Sequence, residues 1–366
     1  MKTRHLKWLW LAAGPLLVLA QGQPSASMSK PNPIQVETPL RQSVPGSTWA
    51  HGDAATMGWS LDALARAHEY ANKIGATSVM IVQHGVVVDE WGDTQSKTPL
   101  YSARKSLMSA LFGIAVARHQ IDLDATLAQL DMDDNPPALT LEERQATVRD
   151  LLEARSGIYH PSVYETVAML KDKPPRGSHA PGTFWSYNNW DFNAIGAIYE
   201  KATGASIFDA FERQIAQPIG MQDYQSSDGQ YVSGEPATRY RAYPIDMSTR
   251  DLARFALLML NDGRWGDRQV VPAAWVREST TSISNSHDGG GYAYMWWTSA
   301  PADGAYSDAS KPSAFWAYGY LGQYAMIVPS LDLVVVTRVD PKLTDLHFGE
   351  SGRRHFLSLV EASAPK

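Results

Sequence analysis

The sequence of 366 residues contains no cysteine. A thiol nucleophile, a thiolate metal site and a disulfide framework are therefore all excluded. Basic residues are not in excess either, because 32 Lys and Arg stand against 38 Asp and Glu, which gives a net charge of −6. An acidic balance disfavours a general nucleic-acid partner or an anionic membrane surface. We therefore expect no nucleic-acid partner, and the composition leaves the oligomeric state open.

Common signatures of other hydrolases are missing as well. The chain has no G-x-S-x-G nucleophile elbow and no H-E-x-x-H zinc motif, and its 10 His residues are scattered. His160 and His179 are candidates for lining a cleft, although a core or surface role suits each of them better. The sequence thus predicts neither a metal site nor a cofactor.

The first 20 residues have the pattern of a secretory signal peptide. Basic residues between Lys2 and Lys7 precede an apolar run from Trp8 to Ala20. This run of about 13 residues is shorter than the ~20 that a membrane-spanning helix needs, and an uncleaved anchor is the alternative. We predict a periplasmic or secreted protein whose mature form has no membrane span. Residues 21–48, rich in Pro, Ser and Gln, are predicted to be a linker or a surface strap.

Extended segments occur near both ends of the mature chain, with helical segments between them. Residues 79–83 and 86–91 are typical of a β-hairpin, and residues 324–329 and 333–338 of a second pair of strands. This order predicts an α/β protein of the α+β type. Its antiparallel sheet, flanked by helices, is built from both chain ends, and a mostly helical domain is inserted between them.

The predicted domain boundaries follow from the same order of segments. Residues 49–102 and 240–366 are expected to form a discontinuous α/β sheet domain, and residues 103–239 the helical domain. The helical stretches of the inserted part are joined by connections rich in Pro and Gly, which break helices and mark turns.

The strongest candidate for chemistry is the segment Ser102-Ala-Arg-Lys105, which opens a very apolar predicted helix over residues 103–118. The i, i+3 spacing places Ser102 and Lys105 on one face, near the free N–H groups and positive dipole end of the helix. Burial pushes a lysine toward its neutral amine, which can accept the proton of a serine hydroxyl. The alternative is that Ser102 only caps the helix and Lys105 extends into solvent.

A second candidate group follows the turn predicted at Pro181-Gly182. Tyr187 and Asn189 lie just before the helix predicted to start at Trp190. A tyrosine in such a loop can reach into a cleft, and its phenol can pass a proton to a leaving group if a nearby cation lowers its pKa. The alternative is a core tyrosine whose hydroxyl has a local partner.

A third candidate lies at the entry to a predicted strand. Gly319, Tyr320 and Gly322 immediately precede the strand that starts at Tyr324. Glycines beside a strand edge let a substrate approach the backbone closely. A backbone N–H from this edge and the N–H of Ser102 would together suit an oxyanion hole. The alternative is a glycine-rich strand entry with aromatic packing.

Five segments in order carry a resemblance to a known family. They are Ser102-Ala-Arg-Lys105, Thr147-Val-Arg-Asp-Leu-Leu-Glu-Ala-Arg-Ser-Gly157, Pro181-Gly182 with Tyr187-Asn-Asn189, Thr249-Arg-Asp-Leu-Ala-Arg-Phe255, and Gly319 to Gln323. This order resembles that of penicillin-binding-type serine hydrolases, in the branch that holds class C β-lactamases, family VIII carboxylesterases and 6-aminohexanoate-oligomer hydrolases. The resemblance covers about residues 55–360 and implies a β-lactamase/transpeptidase-like fold.

The resemblance implies a role for each matching position. Ser102 would be the acylated nucleophile, and Lys105 would accept its proton or hold the local field. Tyr187 would pass the proton to the leaving group and later activate water. Asn189 would position the substrate and Lys105. The backbone N–H groups of Ser102 and Tyr320 would form the oxyanion hole.

One departure from the family bears on the substrate. Relatives that bind a β-lactam or peptide carboxylate usually carry Lys or His at the position that aligns with Ala317, and losing that cation disfavours an anionic substrate. Arg104 is a possible substitute, but it is expected to face away from the nucleophile. Tryptophans near the motifs would suit an apolar acyl chain, with a core role as the alternative; they are Trp185, Trp190, Trp296, Trp297 and Trp316.

These observations predict a secreted serine hydrolase that cleaves an ester or amide bond of a small molecule through an acyl-enzyme on Ser102. Its activity would resemble that of a carboxylesterase or a 6-aminohexanoate-oligomer hydrolase. A β-lactamase or D-alanyl carboxypeptidase is one alternative. A non-catalytic penicillin-binding-like protein that binds a ligand is the other.

Overall fold

The computed structural model describes residues 44–135, 137–234, 238–286, 289–299 and 314–365. The predicted signal peptide and the predicted linker as far as residue 43 lie outside the described residues. Within the described ranges, none of the helices combines the length and the apolar character that crossing a bilayer requires.

Several helices begin at a residue whose side chain accepts a hydrogen bond from a backbone N–H that the helix leaves free. Ser60, Thr147, Asn188 and Ser248 do so at the starts of α1, α3, α5 and α7. The helices are α1 Leu61–Lys73, α2 Arg104–Ala117, α3 Val148–Leu152, α4 Val167–Asp172, α5 Asn189–Thr203, α6 Ile207–Phe211, α7 Thr249–Leu260, α8 Ala273–Thr280 and α9 Glu350–Ser363.

Strands from the two ends of the chain pair in one antiparallel sheet, as the sequence predicted. Its order is β2-β1-β12-β11-β10-β9-β8-β7, and Val79 of β1 lies opposite Thr337 of β12. The strands are β1 Ser78–Gln83, β2 Val86–Gly92, β3 Thr98–Pro99, β4 Asp246–Met247, β5 Arg264–Trp265, β6 Arg268–Gln269, β7 Ser284–Asn285, β8 Gly291–Tyr292, β9 Trp297–Thr298, β10 Phe315–Gly319, β11 Gln323–Val328 and β12 Leu333–Arg338.

Helices cover both faces of the centre of this sheet. Val79 and Ile81 pack into the core that contains residues of α1 and α9. Met80 and Val82 point to the opposite face and pack into the core that contains residues of α2 and α7. Because alternate side chains are buried on both faces, the central strands are apolar almost without interruption.

The chain between β3 and β4 holds α2 to α6, joined by long irregular connections. Its two ends come together where β3 pairs with β4, with Thr98 opposite Met247. The sheet and the helical part thus alternate along the chain in the predicted order. The exact division into a sheet domain and a helical domain stays a prediction.

A buried arginine holds this junction to the sheet. Arg338, at the end of β12, donates hydrogen bonds to the carbonyl oxygens of Thr98 (2.7 Å), Pro99 (3.2 Å) and Met247 (2.7 Å). Ser102 follows Pro99 by three residues. The sheet therefore fixes the backbone that leads into the turn carrying Ser102.

Candidate active site

Ser102 lies in a tight turn rather than at the cap of the following helix. Residues Tyr101–Ala103 form a single 3-10 turn, and α2 begins after it without a side-chain cap. Tyr101 adopts a left-handed backbone conformation (φ 47°), which is uncommon outside glycine. The sequence-based alternative that Ser102 only caps the helix is therefore wrong, and its side chain is left for other contacts.

Lys105 points inward and meets the predicted partners. Its amine lies 3.0 Å from the Ser102 hydroxyl and 2.5 Å from the Tyr187 hydroxyl. Asn189 Oδ1 accepts a further hydrogen bond from it at 2.8 Å. The Lys105 side chain is only 2% exposed, so the alternative that it extends into solvent is wrong. The fold thus brings together four residues that lie up to 87 positions apart in the sequence.

The electrostatics of Lys105 favour the neutral amine. Burial lowers the pKa of Lys105 well below its ordinary value, and the like charge of Arg104 lowers it further. A neutral amine keeps a lone pair, and this lone pair lies within hydrogen-bonding distance of the Ser102 hydroxyl. Lys105 can therefore accept the serine proton, which is the step that a serine nucleophile needs.

Tyr187 differs from the sequence-based expectation in its titration. Burial raises the pKa of Tyr187 well above its usual range, and the opposing effects of Ser102 and Arg104 are smaller. The neighbouring cation Arg104 does lower the pKa of Tyr187, but the effect of burial is larger. The phenol keeps its proton at neutral pH and is suited to giving that proton to a leaving group.

Asn189 is held in one orientation by a backbone carbonyl. Its Nδ2 donates to the carbonyl oxygen of Tyr164 at 2.7 Å, so its Oδ1 faces Lys105. The neighbouring Asn188 caps α5 by accepting from the N–H of Asp191 at 3.0 Å. The two asparagines therefore do different things: one starts the helix, and the other contacts the lysine.

The third predicted group is only partly assembled around the serine turn. A Cβ on Gly319 would lie 2.1 Å from the Leu100 carbonyl oxygen and 3.1 Å from the Ala103 nitrogen, so the end of β10 touches this turn. Tyr320 follows directly, and its ring meets the Tyr101 ring edge-on at 5.8 Å. The glycine at position 319 thus allows close backbone packing rather than direct access for a substrate.

Gly322, in the same strand entry, lies beside Phe348. It has a φ of +109°, and a Cβ there would lie 2.6 Å from the Phe348 ring. Its carbonyl oxygen accepts from Thr337 at 3.1 Å, within the sheet. Close packing against Phe348 therefore accounts for the glycine at this position.

A cavity of about 460 Å³ opens beside Ser102 and Tyr187. Its apolar lining comes from Trp185, Trp297, Tyr318, Tyr320, Ala168 and Met169. Trp190 and Trp296 are fully buried in the core, and Trp316 is buried beneath Arg353. Aromatic walls of this kind fit an apolar group on the substrate.

Neither the arginine nor the histidines considered above supply a cation to this cavity lining. Arg104 is buried, donates to the Tyr101 carbonyl oxygen at 2.8 Å and stacks on Tyr243. His160 is buried between the carboxylates of Asp134 and Glu143. Within the described part of the chain, no group of three or more His, Asp and Glu side chains is arranged to hold a metal ion.

One wall of the cavity could not be predicted from the sequence. Glu165 and Lys173 line it and form an ion pair, and Asp172 lies beside them. Glu165 and Lys173 flank α4, and residues eight positions apart in a helix are separated by about 12 Å along its axis, so no local pattern indicates this contact. The wall depends on a loop whose path only the tertiary structure defines.

Comparisons with known proteins agree on the family. A family model described as Beta-lactamase matches residues 61–339. Esterase EstB from Burkholderia gladioli is 26% identical over 218 residues, which are 50% of this chain and 54% of EstB. A D-aminopeptidase from Brucella anthropi is 27% identical over 145 residues, 35% of this chain and 26% of that protein. The matches span about half of the first relative's length and a quarter of the second's.

A solved structure supports the fold over a longer stretch. The structure of a protein from Bacillus anthracis, assigned as a 6-aminohexanoate-dimer hydrolase, has a TM-score of 0.60 at 19% identity and covers 81% of each chain. The family model covers well over half of the sequence, and its match includes the serine turn and the loop that carries Tyr187. The chain therefore belongs to the beta-lactamase family.

Proposed function

We propose that this protein is a serine hydrolase that cleaves a neutral ester or amide through an acyl-enzyme on Ser102. The observation that carries the proposal is the buried amine of Lys105, which lies within hydrogen-bonding distance of both the Ser102 and Tyr187 hydroxyls. One group thereby connects the nucleophile with a proton donor for the leaving group.

Acylation begins when Ser102 Oγ attacks the carbonyl carbon of the substrate and its proton moves to Lys105 Nζ. The oxyanion that forms accepts hydrogen bonds from the backbone N–H groups of Ser102 and Tyr320. When the tetrahedral intermediate collapses, Tyr187 gives its proton to the departing alcohol or amine. The Lys105 ammonium then returns a proton to the phenolate, so both groups are neutral again.

Deacylation uses the same groups in reverse. Water attacks the acyl carbon, and its proton passes to Lys105 by way of Tyr187. The intermediate collapses, and Ser102 Oγ leaves and takes back a proton from the lysine. The product is a free acid, and no group is consumed in the cycle.

The substrate class follows from the cavity. Ala317 is fully buried and carries no charge where carboxylate-binding relatives carry a cation. The aromatic lining described above favours an apolar acyl group. EstB is named an esterase and the Brucella anthropi relative a D-aminopeptidase, so both bond types occur among similar proteins. We also propose that residues 1–20 direct export of the protein to the periplasm or beyond.

The test compares four substrates side by side: p-nitrophenyl acetate, p-nitrophenyl butyrate, nitrocefin and 6-aminohexanoate dimer. We expect the wild type to cleave the esters or the linear amide and to cleave nitrocefin poorly. Ser102→Ala should lower the rate by at least about 10³-fold, as loss of a nucleophile does in other serine hydrolases. A fluorophosphonate should add its mass to the wild type and not to Ser102→Ala.

The matched control is Ser106→Ala, in α2, which directly follows the serine turn. The Ser106 hydroxyl is buried and donates to the Met295 carbonyl oxygen at 2.8 Å, away from the cavity lining. This variant should remain active and should still be labelled. Rapid nitrocefin turnover by the wild type would contradict the substrate class, and activity of Ser102→Ala within tenfold of the wild type would contradict the nucleophile.

A further inference from the structure

The cavity wall formed by residues 162–173, here called the wall segment, contacts Asn189 and Asn193 of α5. Its helix α4 has no buried residue, although Val163 before it is buried. Buried polar contacts also hold the segment. Glu165 and Lys173 form an ion pair in which their side chains are only 5% and 14% exposed.

This ion pair closes the wall segment into a loop. Lys173 also donates to the carbonyl oxygen of His160 at 3.0 Å. The second carboxylate oxygen of Glu165 accepts from the backbone N–H of Ser162 at 3.1 Å. Ion pairs as buried as this one are screened weakly by solvent, and removing one partner leaves a buried charge without its counterion.

Tyr164, next to Glu165, makes the contact with Asn189. Tyr164 has a left-handed backbone (φ 67°), which is a costly conformation for a non-glycine residue. This conformation directs its carbonyl oxygen to Asn189 Nδ2 at 2.7 Å. One turn along α5, Asn193 Nδ2 lies 3.5 Å from the carbonyl oxygen of Val163. Two asparagines of α5 therefore donate hydrogen bonds to backbone carbonyls of the wall segment.

A continuous path of contacts now runs from the wall to the reacting groups. It passes from Lys173 to Glu165, along the backbone to the Tyr164 carbonyl, then through Asn189 to Lys105. An amide can face Lys105 with its oxygen or with its NH₂ group, and only the oxygen accepts from the amine. Because the Tyr164 carbonyl accepts a hydrogen bond from the NH₂ group of Asn189, the amide oxygen is the group that faces Lys105.

We propose that Glu165 and Lys173 are positioning residues, which fix the Tyr164 carbonyl so that Asn189 presents its oxygen to Lys105. The inference rests on the proposed function, because it assumes that Lys105 is the base. The ion pair then acts on turnover rather than on substrate affinity, although both of its members line the cavity.

The experiment uses Glu165→Gln, which keeps an oxygen for the Ser162 N–H but removes the charge, and Lys173→Met, which keeps most of the side-chain length. With p-nitrophenyl butyrate, kcat should fall about tenfold in each variant and KM should stay within about twofold, because misplacing a catalytic group costs rate. Lys173→Arg restores the charge and should recover kcat to within about threefold. The control is Lys171→Met, at an exposed lysine of α4, and it should change neither constant.

A crystal structure of Glu165→Gln separates this inference from the proposed function. We expect the Tyr164 carbonyl to move away from Asn189 Nδ2 and the amide of Asn189 to turn. An unchanged contact would overturn the inference, and so would a rise in KM at constant kcat, which would mean that the pair binds substrate directly. A wild type that neither hydrolyses esters or amides nor reacts with a fluorophosphonate would overturn the proposed function, whereas the crystallographic result would still decide the positioning role.

Discussion

Lys105 and Arg338 are both buried cationic side chains, with 2% and 1% exposure, but their surroundings treat the positive charge differently. The Arg338 guanidinium donates to three backbone carbonyls and to Gln323 Oε1 at 2.6 Å. Burial lowers the pKa of Arg338 to about 9, and the carboxylates of Asp246 and Asp340 oppose this shift. The arginine therefore stays charged at neutral pH.

Lys105 meets a weaker set of partners. Two of its three hydrogen-bond partners are hydroxyls, on Ser102 and Tyr187, and the charged neighbour that affects its pKa is Arg104, of the same sign. The two regions show that burial alone does not decide whether a cation survives. At Arg338 two carboxylates oppose the effect of burial on the pKa, whereas at Lys105 the like charge of Arg104 adds to it.

The largest effect should come from exchanging one kind of cation for the other. Lys105→Arg places a guanidinium, which stays protonated, where the mechanism needs a proton acceptor. We expect kcat for p-nitrophenyl butyrate to fall by about 10³-fold or more, within or above the range for losing general base catalysis. Lys105→Met, which removes the amine without adding volume, should lose as much. Activity of Lys105→Arg within tenfold of the wild type would mean that the position needs only a positive charge.

Stability should respond to the other cation. Arg338→Met leaves the carbonyl oxygens of Thr98, Pro99 and Met247 without their donor at the base of the serine turn. The free energy of unfolding should fall by about 3–5 kcal/mol, as expected when a buried polar network loses one partner. Urea denaturation at neutral pH measures this change. Arg241→Met, at a partly exposed ion pair with Glu200, is the control and should change stability by less than about 1 kcal/mol. A loss below 1 kcal/mol at Arg338 would contradict the structural role.

The two regions also differ in how much of their structure could be predicted from the sequence. The pairing of Ser102 with Lys105 could be predicted because both lie within one helical turn, and the β1–β2 hairpin because Gly85 allows its turn (φ 74°). The sheet from both chain ends followed from the order of apolar segments. These features depend on local spacing or on the sequence of elements along the chain.

Features that depend on the surroundings of a side chain could not be predicted. The proton relay considered for Tyr187 assumed a nearby cation that lowers its pKa, but burial outweighs its charged neighbours and raises the pKa. Nothing near Arg338 in the sequence indicates that it bonds to residues 240 positions earlier. The ion pair between Glu165 and Lys173 could not be predicted from the sequence for the same reason. Burial and distant partners are properties of the folded chain.

The smallest predicted effect is on the stability of Lys105→Met. It tests the comparison most directly, because the same change to methionine is made at Lys105 as at Arg338. Burial lowers the pKa of Lys105 in the folded protein below its unfolded value, so the unfolded chain binds more protons between these two values. The contribution of Lys105 to the stability of the wild type therefore becomes more favourable as pH rises through this window, up to about 10.5. Lys105→Met removes the cost of burying the amine and should raise Tm by about 2 °C at pH 7.

The pH dependence of this gain distinguishes it from ordinary repacking. The difference in Tm between Lys105→Met and the wild type, measured by calorimetry, should shrink as pH rises from 7 toward 10, since the lysine then costs less to bury. Lys171→Met, at an exposed lysine, should show no such trend. If Lys105→Met instead loses stability at pH 7, as Arg338→Met should, then the amine is held as an ammonium by its oxygen partners. Lys105 would then be a structural cation like Arg338, and the serine proton would need another acceptor.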